Sequence, residues 1–592
     1  MIVIFNLIRF PGNILSWDVF GYYMYLPMIF IYDNWGLQDV SILKHIVEEY
    51  NSSSTLYQAY QAETGTWVMR YTMGMAVFYL PFFLIGHFIA WITGFPMDGF
   101  SGPYQVAILY GGIFYSFLGF YFLRKILSEY FNDRIVALTL LAIYFGTNYM
   151  FHTGFDGQNA MSHNYLFTAY AILIWLTIKW QQQFSFKYLV LIALNCGLII
   201  LARPSEMVSL LIPILWNIES IVDLKKRFEI LTKDINRFLL LTFVFLSIFI
   251  PQMVYWKIIT GDFIFNSYYS NPGEGFEFSH PFILEVLFSF RKGWLIYTPL
   301  MILALIGIVL LFLQRSKLRW NVLVFFVCNL YIVSSWSCWW YAESFSSRAL
   351  VQSYVILALP LATMINFIAE NIKALFYQIV TGLICLIVIF NMFQTWQYSK
   401  DIIHPSRMTW KAYKATLLKT QTPANFTDLL MVDRDKVNSD TIEITSYKKT
   451  KELLLDFENG GGNSSEQKAN GKFSYVLSHA EQYTPSIKQK YREISSRDHL
   501  KIKFSAKVFL KSSYSAGELY VRFENHGKEY GVKKLWVDSS LIPTGSWQEV
   551  TFYYFTPVIR VDNDKMKLYF VSKANDVIFI DDLKAEVFER IE

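Results

Sequence analysis

Charge is scarce in this chain: 17% of its 592 residues are Asp, Glu, Lys or Arg, where a soluble globular chain carries about a quarter. The formal net charge of +5 is too small over this length to point to nucleic acid. Cysteine is scarce too. Cys196, Cys328 and Cys385 lie in apolar runs and Cys338 in a Trp-rich segment, none of them in the polar C-terminal part. This excludes a disulfide framework and a zinc spacing and leaves small apolar core residues. No glycine-rich phosphate loop and no Ser nucleophile elbow occurs, which argues against nucleotide-sugar chemistry on a doubly wound fold. Tandem repeats, low-complexity segments and a cleavable signal pattern are also missing.

Apolar and aromatic residues take the place of charge, at 54% and 18%. Several apolar runs reach or approach the ~20 residues that cross a bilayer, so residues 1–395 are expected to form a polytopic α-helical membrane domain of about ten transmembrane helices plus interfacial helices. Residues 1–15 are apolar but short and interrupted by Pro11-Gly12, so the first helix is expected to cross only partly or to begin upstream. Residues 34–68 read as a long external loop with short helices. The run 71–91 is long enough to span. However, the run 104–122 ends in Arg124-Lys125, which marks a cytoplasmic end. Charge parity and the central Pro81 then predict that 71–91 lies in the interface or dips in without crossing. The later links alternate, with Lys225, Lys226, Arg227, Lys233, Arg237, Arg315, Lys317 and Arg319 gathered on one side. The short runs 188–202 and 207–216 flank Arg203-Pro204-Ser205-Glu206, a broken hairpin with its polar turn at membrane depth.

The composition changes after about residue 396. A polar, partly helical linker is expected over 396–445. Residues 446–592 alternate polar and apolar at period two, as in Leu500–Val508, Glu518–Phe523, Glu549–Tyr554, Lys567–Val571 and Val577–Leu583. Short strands with Gly, Pro and Asn turns predict an all-β, jelly-roll-like sandwich.

The first candidate for chemistry is Asp18, in Ser16-Trp17-Asp18-Val19-Phe20-Gly21-Tyr22-Tyr23. A carboxylate among aromatics at a membrane boundary suits a general base toward a hydroxyl, an oxygen ligand of a divalent cation, or a solvated acid in an aromatic belt. Tyr22 and Tyr23 are candidate substrate contacts. Arg203 at membrane depth is costly unless paired or in a wet cavity, and its guanidinium suits phosphate; Glu206 is its alternative partner. Arg291 and Lys292 precede an inward-running helix on a face expected to be poor in cations, which suits an anionic ligand or an incidental lipid headgroup. Arg348 with Glu343 repeats the theme. His163 suits a metal, a substrate contact or a hydrogen-bonded structural role.

These features together resemble the integral-membrane glycosyltransferases of the GT-C superfold, which use polyprenyl-phosphate sugars and include protein mannosyltransferases and the aminoarabinose transferases of lipid A. The resemblance covers roughly residues 10–400. It rests on the acid in the first external loop, interfacial helices in that loop, the segment ending Tyr121-Phe122-Leu123-Arg124-Lys125-Ile126-Leu127, and the hairpin Leu201-Ala202-Arg203-Pro204. Trp17-Asp18 with Gly21-Tyr22-Tyr23, Phe288 to Pro299 and Trp340 to Arg348 resemble members from Bacteroidetes-type bacteria. The resemblance implies an inverting displacement at the extracytoplasmic face of a bacterial inner membrane. Asp18 would deprotonate a hydroxyl of a glycan, lipid or protein acceptor, and Arg203, Arg291, Lys292 or Arg348 would stabilise the leaving polyprenyl phosphate. Many relatives carry a second acid where this chain has Met161-Ser162-His163; Asp156 or His163 stands nearest that place, and a divalent cation (Mg or Mn) stays open with it. The C-terminal part is similar to jelly-roll carbohydrate-binding modules through Asp456-Phe457-Glu458, Gly545-Ser546-Trp547-Gln548-Glu549-Val550 and Ile580-Asp581-Asp582-Leu583, whose acids would hold Ca²⁺ or simply sit at strand ends. The alternatives are a transporter or flippase of lipid-linked glycans, which calls for internal repeats and polar residues along several helices, and a non-catalytic glycan-binding envelope protein.

Overall fold

The structure is a computed structural model, and it describes residues 12–62, 64–155, 157–268, 274–434, 447–458, 462–497, 499–561, 563–573 and 576–590. The start of the first apolar segment, Asp156 and the end of the expected linker lie outside the described residues. The chain divides into two compact units, one running to Leu429 apart from Asn271–Glu274, the other from Leu430 onward.

The first unit is helical. Four helices are long and apolar enough to cross a membrane: Gly74–Thr93, Gly102–Ser128, Arg348–Asn371 and Ala374–Ser399. A fifth span results if Ile235–Ser247 and Ile250–Thr260, bent by 50°, count as one. Phe186–Ala202, Pro204–Leu215, Met301–Leu313 and Arg319–Ser334 are apolar but shorter. The expected count of about ten is therefore not reached by length and composition among the described residues. The helices themselves fall close to where the apolar runs place them. Leu375, Phe376, Ile379, Leu383, Leu386 and Ile389 all stand exposed on the last long helix, a surface that suits hydrocarbon and not water.

Gly74–Thr93 is one continuous helix of 20 residues with Pro81 inside it, long and apolar enough to cross a membrane by length and composition. The expected linker 396–445 begins inside the last long helix. Helices Trp410–Thr416 and Phe426–Leu429 belong to the helical unit. Tyr413 packs its ring 5.2 Å from Phe290 and 5.8 Å from Tyr297, and its hydroxyl accepts from Gln394 at 2.9 Å.

Between helices Val40–Tyr50 and Gly74–Thr93, strands β1 (Ala59–Gln61) and β2 (Trp67–Met69) form a small antiparallel hairpin. Its far end delivers Arg70 and Tyr71 to the start of helix Gly74–Thr93.

The second unit is a sandwich of antiparallel sheets. Its strands are β3 (Tyr447–Leu455), β4 (Tyr475–Leu477), β5 (Ile487–Lys490), β6 (Lys501–Leu510), β7 (Gly517–Asn525), β8 (Lys528–Val537), β9 (Trp547–Phe555), β10 (Lys565–Ser572) and β11 (Ile578–Arg590). One sheet runs β5-β10-β7-β8 and the other β3-β11-β6-β9, with β4 also on β11. Leu519, Val521, Phe523, Leu568 and Phe570 of the first sheet are buried with Ile502, Phe504, Val508 and Ile580 of the second, which is how period-two alternation closes a core between two sheets.

Candidate active site

Asp18 opens the short helix Trp17–Tyr23, one residue in. Trp17 holds a left-handed φ of 51°, a strained conformation for a bulky residue. It is fixed from both sides: its N–H donates to Ser52 O at 2.8 Å, and its carbonyl accepts from Gln58 Nε2 at 3.1 Å. The loop that supplies these partners also supplies Tyr57, whose hydroxyl donates to Asp18 Oδ1 at 2.8 Å. Tyr71 donates to the same oxygen at 2.7 Å, and Arg348 Nη2 donates to Oδ2 at 3.0 Å. Burial pushes the Asp18 carboxyl up. The Arg348 charge and the bonds from Tyr71, Tyr57 and Arg348 outweigh burial and hold it below the usual carboxylate range.

Two glycines allow this assembly. A Cβ on Gly21 would meet the Tyr71 ring at 2.5 Å, and one on Gly74 would stand 2.2 Å from Ala202 N. Gly21 thus lets Tyr71 lie against the Asp18 helix. Gly74 lets the next helix start directly on the backbone that ends at Arg203. Thr72 Oγ1 donates to Leu201 O across the same contact at 2.5 Å.

Arg203 follows helix Phe186–Ala202 and precedes Pro204, which blocks continuation of that helix. Its Nη1 lies 3.0 Å from His163 Nδ1, and its guanidinium lies 5.9 Å from the Tyr341 ring centre. His163 Nδ1 is also 3.2 Å from Gln352 Oε1. Arg203 Nη1 also lies 3.3 Å from His163 Nε2, so with its proton on Nδ1 the ring can donate to Gln352 and accept from Arg203 at Nε2. Gln352 Nε2 donates to Glu206 Oε1 at 2.6 Å, and Tyr170 donates to Glu206 Oε2 at 2.7 Å. Glu206 is buried in that network and forms no ion pair with Arg203 within 4.0 Å among the described residues. Tyr22 joins the two halves. Its phenol is pushed up by burial and then by the Asp18 charge, and drawn down by the charges of Arg203 and Arg348.

The surroundings are donor-rich. Arg348 Nε, Ser346 Oγ and Ser347 Oγ are buried with no hydrogen-bond partner among the described residues. Arg70 adds a further guanidinium 5.9 Å from the rings of both Tyr57 and Tyr268. Buried donors with nothing to donate to, beside two arginines, fit an anionic ligand.

The other candidates fall elsewhere. Tyr23 faces the opposite side of its helix and donates to Gly99 O at 2.6 Å. Arg291 stacks 4.0 Å from the Trp340 ring and donates from Nε to Ser406 O at 2.8 Å. Lys292 donates to the carbonyls of Ser344 and Pro405; burial, with the Arg291 and Arg348 charges added, pushes it well below the ordinary lysine range. Glu343 is exposed in the loop before Arg348, not its partner. Tyr57, Arg70, Tyr71, Gln352 and Tyr341 escaped the sequence reading. Only Arg70-Tyr71, a cation and a phenol directly before an apolar run, carried any signal there.

Among the described residues no group of three or more His, Cys, Asp or Glu is placed to hold an ion, and both Asp18 oxygens already accept from neighbours; Asp156 lies outside the described residues. In the sandwich, Asp581 Oδ2 accepts from the N–H groups of Ala469 and Asn470, and Asp582 Oδ2 pairs with Lys507 at 2.9 Å. Glu458 Oε1 accepts from the N–H groups of Lys472 and Phe473. In these contacts the acids hold loop structure.

No known protein family and no curated protein matches the chain. Among solved structures it is similar to ArnT from Cupriavidus metallidurans in the apo state, at 13% identity and a TM-score of 0.33, covering 52% of this chain and 51% of that one. It is also similar to the arabinosyltransferase EmbB from Mycobacterium smegmatis, at 8% identity and a TM-score of 0.25, over 80% of this chain and 57% of that one. A third is the CBM22-1–GH10 part of the Clostridium thermocellum xylanase Xyn10B, at 17% identity and a TM-score of 0.16, over 26% and 28%. The chain thus spans about half the length of the ArnT structure it matches. Scores at this level do not establish a shared fold.

Proposed function

We propose that the chain is a membrane glycosyltransferase of the GT-C type, moving a sugar from a polyprenyl-phosphate donor to a hydroxyl acceptor outside the cytoplasmic membrane. The observation that carries this reading is one carboxylate, Asp18, held by Tyr57, Tyr71 and Arg348, with Arg203 near enough that its charge and that of Asp18 both act on Tyr22. The acceptor oxygen attacks the anomeric carbon and its proton passes to Asp18. The bond from that carbon to the phosphate oxygen breaks, and its electron pair leaves with the polyprenyl phosphate. Arg203 and Arg348 stabilise the charge that develops there, often the largest part of such catalysis. One displacement inverts the anomeric centre.

An apolar groove of about 580 Å³ supports a lipid-linked donor. Its lining includes Met73, Val77, Leu191, Leu198, Leu201 and Pro251. Met73 is two residues from Tyr71 and Leu201 two from Arg203, so one end of the groove abuts the polar cluster. The test uses the purified chain in nanodiscs with polyprenyl-phosphate sugars and a mixed acceptor pool from envelope extract. Release of polyprenyl phosphate with a new glycosidic bond supports the reading. Movement of the intact labelled lipid-sugar across liposomes, without bond formation, sinks it in favour of transport.

A further inference from the structure

Behind Arg203 stands a row of hydrogen-bonded side chains to which the transfer chemistry assigns no task. His163 and Tyr170 lie two turns apart on helix Ser162–Gln183, which puts them on one face. Glu206 lies in the short helix Pro204–Leu210 that follows Arg203. Gln352 follows Arg348 by four residues at the start of helix Arg348–Asn371. His163, Tyr170, Glu206 and Gln352 are each at most 3% exposed, whereas Arg203 is only partly buried. A buried polar row of this kind has to satisfy its own members.

Donors and acceptors along the row follow from its buried end. The Glu206 carboxylate offers acceptors only. Tyr170 donates to its Oε2 at 2.7 Å and Gln352 Nε2 to its Oε1 at 2.6 Å. Glu206 thereby fixes which way the Gln352 amide faces, and Gln352 Oε1 is left 3.2 Å from His163 Nδ1. An amide oxygen only accepts, so the imidazole proton belongs on Nδ1. Nε2 is then the acceptor, 3.3 Å from Arg203 Nη1. Among the described residues the His163 ring is the only hydrogen-bond partner of the Arg203 side chain, so Nε and Nη2 are left for a ligand.

We propose that Glu206 is a positioning residue. Through Gln352 it sets the tautomer of His163, and so holds Arg203 with its remaining N–H groups turned to the anionic headgroup of the donor. The inference rests on the reading of Arg203 as a donor contact. A direct ion pair with Glu206 would occupy the guanidinium fork; two neutral side chains in between hold it and leave the fork open. The same helix start carries Arg348, which holds Asp18, and Gln352, so base and phosphate sides share one support.

The test uses the polarity of the row. Glu206→Gln keeps the shape but adds a donor, so the new amide can give an N–H to Gln352 Oε1 while still accepting from Tyr170. Gln352 then turns Nε2 to His163 and the imidazole proton moves to Nε2. Arg203 must now compete with Gln352 for the one lone pair left, on Nδ1. Adding Gln352→Glu restores acceptors toward His163 and toward position 206, and with them the first tautomer. Nitrogen NMR of isotope-labelled histidine, on the full chain in nanodiscs, reads the tautomer, with His163 assigned by the signals lost in His163→Asn. Farnesyl phosphate is the binding probe and farnesol its neutral control. The native chain should carry the proton on Nδ1 and bind farnesyl phosphate tighter than farnesol. Glu206→Gln should exchange the two nitrogens and weaken farnesyl phosphate roughly three- to tenfold, the loss of one net hydrogen bond, with farnesol unchanged. The double variant should recover both. An unchanged tautomer in Glu206→Gln overturns the proposal. So does an exchanged tautomer with unchanged phosphate affinity, or a double variant no better than the single one. A native chain that binds farnesyl phosphate no tighter than farnesol overturns the donor reading instead, and the tautomer exchange then decides for or against the row on its own.

Discussion

Arg348 donates to Asp18 across 330 residues of sequence, closing an ion pair at 3.0 Å whose side chains are 12% and 19% exposed. In this state the carboxylate is a poor base, because a guanidinium and two phenols already occupy its oxygens. An anionic donor competes with Asp18 for Arg348. On the proposed reading, the ligand that brings the sugar also returns proton affinity to Asp18, so base and donor arrive together.

Asp18→Asn keeps the shape and removes the proton acceptor. Sugar transfer in nanodiscs is expected to fall by roughly 10²–10⁴. The thermal midpoint falls as well, because Arg348 is left partly buried opposite a neutral amide. Full activity at normal protein levels would remove Asp18 from the mechanism.

The pH dependence has a definite sign. The folded Asp18 value lies below the unfolded one, which is about 3.9. The ion pair therefore contributes its full stability above the unfolded value and loses it as pH falls through the folded value. Thermal stability of the native chain should owe no slope to Asp18 at neutral or mildly acid pH. Arg348→Gln deletes the charge that holds the carboxyl down while burial continues to push it up. Its acid limb should move upward toward or past the ordinary carboxylate range, read as thermal midpoint against pH for the two proteins.

Arg203 tests the donor side. Arg203→Gln removes a charged donor while His163 retains Gln352 as a partner. Hydrogen bonds to charged groups contribute about 1.5–3 kcal/mol, so the donor KM should rise on the order of ten- to a hundredfold with acceptor KM little changed. Arg203→Lys should restore only part of this, because an ammonium lacks the planar fork. A loss confined to acceptor KM would place Arg203 on the other side of the reaction.

How far the sequence revealed this site follows from the range of each contact. Asp18 and Arg203 are legible because charge is conspicuous beside apolar runs. Tyr57, Tyr71 and Gln352 are not, because their roles come from contacts 39, 53 and 189 residues away and polar residues of these types occur throughout the chain. Tyr22 and Tyr23 look alike in sequence, and only the helix turn sends one to Asp18 and the other to Gly99. Arg291 and Lys292 carry the same charge signal as Arg348, yet stacking on Trp340 and two carbonyls occupies them. In the sandwich, regular alternation exposed β6, β7, β9, β10 and β11. It missed β3, β4, β5 and β8; in β8, Gly531 and the Lys533-Lys534 pair interrupt the pattern.

Gly74→Ala probes whether close backbone packing aims Tyr71. An alanine would favour the helix by about 1 kcal/mol through propensity alone. Its Cβ, however, would stand 2.2 Å from Ala202 N and 2.4 Å from Leu201 C, and backbone cannot turn aside as a side chain does. The helix must move off residues 201–202, at a cost of about 1–3 kcal/mol typical of overpacking. That breaks the Thr72–Leu201 bond and shifts Tyr71 from Asp18. Gly21→Ala instead meets the Tyr71 ring, at 2.5 Å, and a ring can swing away. Gly74→Ala should therefore lower both the thermal midpoint and transfer, whereas Gly21→Ala should lower transfer with a smaller change in midpoint. Equal losses of stability, or full activity in Gly21→Ala, would show that Tyr71 does not need this packing to reach the carboxylate.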